Sequence, residues 1–187
     1  NQIRSVGLGE VGGRYFLFHC GMGFDAAVVQ QVERKAALKR YAGHPLFIWA
    51  GFNTWLNHYD RSSPRMSVKH GGKLINDSYF TVVLNTNPYT YLGHRPLSFA
   101  PAATLDNGLS LVVLRTMAFK PVMSIVKDLV SGKQLRDSNT LHLADNLPEI
   151  EIVGHKPFPY QLDGDFLGEV SSLKFTWVPK KLRLVCP

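Results

Sequence analysis

Little in this chain holds it together covalently. Only two cysteines, Cys20 and Cys186, stand in 187 residues. They are too few for a disulfide framework and are not spaced as a zinc site. A chain this poor in cysteine is expected in a reducing cytoplasm. The seven histidines contain no pair at i, i+4, so the helical histidine metal motif is absent. Long apolar runs are missing too. The richest, Pro45–Leu56, is broken by Gly51, Asn53 and Thr54 and falls short of the roughly 20 residues that span a bilayer. No signal-peptide pattern opens the chain. It starts at Asn1 rather than Met, as expected of a processed, truncated or excerpted sequence. Acidic residues are scarce: 14 Asp and Glu face 21 Lys and Arg, a net charge of +7. That balance favours anionic partners such as acidic lipid headgroups, phosphorylated substrates or nucleic acid. Of these, nucleic acid is not expected: Tyr89, Tyr91, His94 and Arg95 offer stacking groups in a loop, but no recognised binding motif surrounds them.

What the chain does have is a core. Apolar residues make up 45%, and the length suffices to bury them. Ile3–Val11 and Arg14–Cys20 read as strands joined at Gly12–Gly13, a hairpin dipeptide. Arg65–His70 and Lys73–Ile75 flank Gly71–Gly72 in the same way. Further strands are expected at Tyr79–Leu84, Leu111–Arg115, Thr140–Leu143, Glu149–Val153, Pro159–Leu162, Ser172–Trp177 and Leu182–Val185. Helices are expected at Phe24–Arg40, at Pro45–Tyr59 and at Pro121–Val130, the last closed by Gly132. So many hairpin-linked strands predict a mainly β (α+β) domain over 1–187. Its architecture is a two-layer antiparallel β-sandwich with about three peripheral helices.

Four segments carry candidate chemistry. Gln161–Leu162–Asp163–Gly164–Asp165 sets two carboxylates around a glycine. A tight turn there lifts an aspartate off a strand end, where it accepts a proton or helps hold a metal. The same Asp-Gly between alternating apolar residues is also a strong two-residue hairpin signal. Gly21–Met22–Gly23–Phe24–Asp25 lacks the third glycine of a dinucleotide fingerprint and the Gly-Lys-Ser/Thr of a phosphate loop. It reads instead as close packing where a strand hands over to a helix, with Asp25 as an N-cap candidate. Asp106–Asn107–Gly108–Leu109 is a glycine turn entering a strand. Arg34–Lys35 and Lys39–Arg40 give the first helix a basic face beside the aromatic second helix. That arrangement suits a solvated surface or a membrane interface.

Taken in order, Tyr15–Ala26, Val82–Asn87, Ala100–Leu114 and Gln161–Asp165 resemble the C-terminal domain of the bacterial diacylglycerol kinase and lipid kinase family, which includes sphingosine and ceramide kinases. The resemblance covers nearly the whole chain. It implies a β-rich domain of two packed sheets. It also implies that Asp163 is the general base taking the proton of a lipid hydroxyl, with ATP as phosphoryl donor. Asp165 stands where most members carry glutamate and is one methylene shorter. The resemblance further implies a structural Mg²⁺ at the Asp106–Leu109 turn, held by an acidic side chain and nearby carbonyls. Here the acidic position is Asn107, with the carbonyls of Thr104 and Leu109 beside it. An amide ligates a hard cation without bringing charge, so affinity should drop.

The family's nucleotide motif, Gly-Gly-Asp-Gly-Thr in an N-terminal α/β domain, does not occur in these residues. ATP is therefore expected on a separate, missing domain, and this chain is expected to be the acceptor half, inactive alone. The implied partners are a lipid substrate, that missing domain and, peripherally, the membrane surface; a homodimer is compatible with the sequence. Two other readings stand beside this one. One is an NAD-kinase-like enzyme domain, which shares the two-domain plan. The other is a non-catalytic basic β-domain binding acidic lipid or nucleic acid.

Overall fold

The computed structural model describes residues 2–33 and 62–186. In chain order these form β1 (Gln2–Val11), β2 (Arg14–Phe16), β3 (His19–Gly23), α1 (Phe24–Glu33), β4 (Met66–His70), β5 (Lys73–Ser78), β6 (Phe80–Leu84), β7 (Thr90–Leu92), β8 (Arg95–Leu97), β9 (Leu109–Leu114), α2 (Phe119–Ser131), β10 (Leu141–Leu147), β11 (Glu149–Leu162) and β12 (Asp165–Cys186). Ten strands hydrogen-bond into one sheet in the order β10-β9-β6-β3-β11-β12-β1-β2, and the β4–β5 hairpin joins it through β11. β7 and β8 form a separate ribbon.

The sheet becomes a sandwich because β11 serves two layers. Its Glu151–Gly154 stretch pairs with β4, and its Tyr160–Leu162 stretch pairs with β3. Register shifts separate the two stretches, between Val153 and Phe158 and between Pro159 and Gln161. Pro157 and Pro159 fall in this irregular part, where a missing N–H costs the ladder least. Two strands expected here are therefore one, β11, and the two expected beyond it are likewise one, the 22-residue β12.

Alternation divides the interior. In β9, Leu109, Leu111 and Val113 face the core between the layers, while Val112 and Leu114 face a second core. In β6, Val83 faces the first and Phe80, Val82 and Leu84 the second. A strand buried on both faces reads as a near-continuous apolar run, as β9 does apart from buried Ser110. The second core is closed by Val122 and Leu129 of α2 and by Leu135. Each fully buried Leu, Val or Phe contributes about 1.5–3 kcal/mol relative to exposure, so the sandwich rests on this alternation.

Two of the three expected helices lie in the described residues. α2 spans Phe119–Ser131 and ends at Gly132, as expected. α1 begins at Phe24, which puts Asp25 inside the first turn rather than at the cap. The helix expected at Pro45–Tyr59, the end of the first helix, and the pairs Arg34–Lys35 and Lys39–Arg40 lie outside the described residues. No described helix is long and apolar enough to cross a membrane.

Candidate functional site

The Asp163–Gly164 turn is the two-residue hairpin that joins β11 to β12, with Leu162 opposite Asp165. Both central residues have positive φ, +48° at Asp163 and +95° at Gly164, as a type I′ turn requires. Gln161, fully buried, closes the turn by accepting the Gly164 N–H at its Oε1, 2.8 Å away. The hairpin reading of this motif therefore holds. It does not exhaust the site.

The Asp163 carboxylate faces a cradle of three backbone donors. Oδ2 accepts from the Leu17 N–H at 2.8 Å, and Oδ1 accepts from the Phe18 and His19 N–H groups, each at 2.9 Å. The Asp163 N–H in turn donates to the His19 carbonyl at 2.9 Å. This cradle explains a departure from the sequence expectation. Arg14–Cys20 is not one strand but two, β2 ending at Phe16 and β3 beginning at His19. The chain breaks at the residues whose amides turn to the carboxylate.

Asn85 holds the same loop from behind. Its Nδ2 donates to the carbonyls of Gly7 (3.1 Å) and Leu17 (3.2 Å), and its backbone N–H donates to the Phe18 carbonyl at 2.8 Å. The His19 ring packs against Tyr89, centroids 4.6 Å apart. Asn85 and the 17–19 backbone build the candidate site, and the sequence analysis did not single them out for it. A signal for Asn85 existed: a polar residue ending the run Phe80–Leu84 and fully buried with it.

A carboxylate offers about four lone-pair sites. Three are used here, and the open one is on Oδ2 of an exposed side chain. Phe18, whose amide is one of the three donors, is itself 51% exposed. The arrangement fixes a carboxylate that can accept one further hydrogen bond. Asp165, at the first position of β12, is also exposed. Its carboxylate makes no hydrogen bond or ion pair with the described residues.

The other candidate residues, Thr104, Asn107 and Leu109, lie in a different turn. Asp106 is ion-paired with Arg4. The Thr104 carbonyl accepts the Asn107 N–H at 3.3 Å, and the neighbouring Leu105 carbonyl accepts from Gly7 at 2.7 Å. Leu109 opens β9 opposite Leu147. Among the described residues no group of three His, Cys, Asp or Glu side chains is placed to hold a metal. With its carboxylate engaged by Arg4, this donor set fits Mg²⁺ poorly. Replacing Asn107 with Asp adds a charged ligand and is expected to raise the melting temperature in millimolar Mg²⁺ or Ca²⁺ relative to the unaltered chain. Equal melting temperatures for both versions would show that no cation binds at this turn. Arg95, considered above for nucleic-acid stacking, is used by the fold: Nη1 donates to the Val130 carbonyl at 2.6 Å.

Over residues 19–186 the chain matches the family described as the YegS C-terminal NAD kinase beta sandwich-like domain. No curated protein sequence matches it. Among solved structures it is similar to a diacylglycerol kinase from Bacillus anthracis str. Sterne, with 16% identity and a TM-score of 0.62. Two further proteins of that strain are 16% and 18% identical, with TM-scores of 0.68 and 0.65. Each alignment covers 97% of this chain but 53–57% of the other, so the chain spans about half the length of these relatives. With a family match over most of its length, and sharing the fold of those structures, the chain belongs to the YegS C-terminal, NAD-kinase-like β-sandwich family.

Proposed function

We propose that residues 1–187 are the acceptor-side domain of an ATP-dependent lipid kinase that phosphorylates a lipid hydroxyl such as that of diacylglycerol. One observation supports this reading most: the 17–19 cradle fixes Asp163 through three amides and leaves one lone pair of its exposed Oδ2 open among the described residues. The acceptor hydroxyl donates its hydrogen to Oδ2, and that oxygen receives the proton as the hydroxyl becomes nucleophilic. Phosphoryl transfer asks mainly for positioning and charge stabilisation, and a carboxylate clamped by three amides meets the first demand. Asp165 supports the site as a nearby negative charge. ATP, held by a separate domain, supplies the phosphoryl group, with Mg²⁺ as its counter-ion. A greasy acceptor and a net charge of +7 support peripheral binding at the cytoplasmic face of a membrane.

This division of labour is tested with the purified chain. It is expected to fold and to retain vesicles containing diacylglycerol in preference to NAD or single-stranded RNA. It is also expected to form no phosphorylated lipid when given ATP and diacylglycerol. ATP-dependent phosphorylation by the chain alone would overturn the assignment of the nucleotide site to another domain. Preferential retention of NAD would favour the NAD-kinase-like reading instead.

A further inference from the structure

Away from Asp163, three side chains join two edges of the sheet. His70 ends β4 and His142 is the second residue of β10. Their Nε2 atoms lie 2.9 Å apart, with ring centroids 5.1 Å apart and planes inclined at 31°. The rings therefore meet end to end, one nitrogen lone pair aimed at the other ring. His142 Nδ1 lies 2.9 Å from Asp137 Oδ1, which also accepts the Leu143 N–H at 2.8 Å. His70 is buried.

Two facing nitrogens at this distance share one hydrogen. With Nδ1–H of His142 donating to Asp137, its Nε2 carries the lone pair, and the Nε2–H of His70 donates to it. One added proton, at the outer nitrogen of His70, leaves that hydrogen bond in place. A second would put hydrogens on both facing nitrogens and positive charge on both rings. The surroundings do not offset this. Lys73 of β5 stands opposite His70 across the β4–β5 turn. On the β11 side, Lys69 is exposed and in register with Glu151. Among the described residues Asp137 is the carboxylate in direct contact with the pair, and Arg115, bonded to Asp77, also acts on Asp137. Burial, then His142, then Lys73 hold His70 below the ordinary histidine range.

We propose that His70 and His142 form an acid-opened latch between the β4–β5 hairpin and β10. Above the ordinary histidine pKa of about 6.5 the pair is closed. As pH falls below it, the closed form loses stability because the open form binds more protons. β10 pairs with β9 alone among the described strands. Its far end caps the Asp106–Gly108 turn, where Asn146 Oδ1 accepts the Gly108 N–H at 3.0 Å. Opening the latch therefore also loosens that turn.

The test compares the whole chain with a His70→Gln version, whose amide still donates to His142 but does not titrate. Urea unfolding is followed from pH 8 to pH 5, with amide exchange read at Leu141–Leu147 and Gly108. The histidines outside the pair cancel. Below pH 6.5 the folding equilibrium of the native chain is expected to fall more steeply than that of His70→Gln, by up to about tenfold per pH unit for each extra proton bound. Protection of the β10 and Gly108 amides, corrected for the intrinsic pH dependence of exchange, should fall before the whole domain unfolds. Equal pH dependence of the two versions, or β10 amides equally protected at pH 8 and pH 5, overturns the latch. Should His70→Gln fail to fold, imidazole nitrogen resonances of the native chain decide. One hydrogen between the two Nε2 atoms at pH 7.5 and hydrogens on both at pH 5, with lower β10 protection factors, supports it. Two independent Nε2 atoms at pH 7.5 refutes it.

Discussion

Asp163→Asn, placed in an enzyme that joins this domain to a nucleotide-binding one as proposed above, is expected to lower turnover by roughly 10²–10⁴-fold, the usual cost of losing general acid–base help. Affinity for ATP should change little, because the proposed function assigns the nucleotide to another domain. Asp165→Asn should cost less, since its carboxylate carries none of the cradle. The cradle adds a second consequence. Asparagine suits the backbone of an Asn-Gly type I′ turn, but its amide nitrogen cannot accept from an N–H. At least one of the Leu17, Phe18 and His19 donors would face another donor. Unfolding free energy of the isolated domain is therefore expected to fall by about 1–3 kcal/mol, the cost of an unsatisfied partner. The two effects are separable. Assayed well below the variant's melting temperature, a folding defect vanishes and a missing base does not. A two-domain Asp163→Asn enzyme that keeps most of its turnover there would reduce Asp163 to a loop clamp and leave the base to be sought elsewhere.

Much of the sandwich was legible because its signals are local. Gly12–Gly13, Gly71–Gly72 and Asp163–Gly164 mark hairpins, and the apolar run Leu111–Leu114 marks a strand. The ordered motifs carried the family. What failed to show was set by tertiary contacts. Nothing local in Arg14–Cys20 interrupts a strand; the break comes from a carboxylate 144–146 residues away. Nothing local fuses Glu149–Val153 with Pro159–Leu162; β4 and β3, arriving from elsewhere, pair with successive stretches of one strand. The ribbon at Thr90–Leu97 looked like a loop because three-residue strands carry too little periodicity to read. His70 and His142 are 72 residues apart, so no spacing rule brings them together.

The two glycine turns sharpen that lesson, because Asn107–Gly108 and Asp163–Gly164 look alike in sequence and differ in physics. Gly164 needs its left-handed φ of +95°, and the space around its α-carbon is open. Gly108 has no left-handed φ, but a β-carbon there would lie 2.7–2.8 Å from the backbone of Asn146 and Leu147. One glycine is required by conformation, the other by close approach of β10. Gly164→Asn is therefore expected to be mild, within about 1 kcal/mol, because asparagine visits the left-handed region readily. Gly108→Ala is expected to destabilise by at least about 1–3 kcal/mol, the usual cost of overpacking. The upper part of that range or beyond is expected here, since backbone rather than a flexible side chain must yield. Urea unfolding of the two single variants measures both. If Gly108→Ala proves as mild as Gly164→Asn, β10 does not press on the turn, and the transmission from His142 to Gly108 loses its mechanical basis as well.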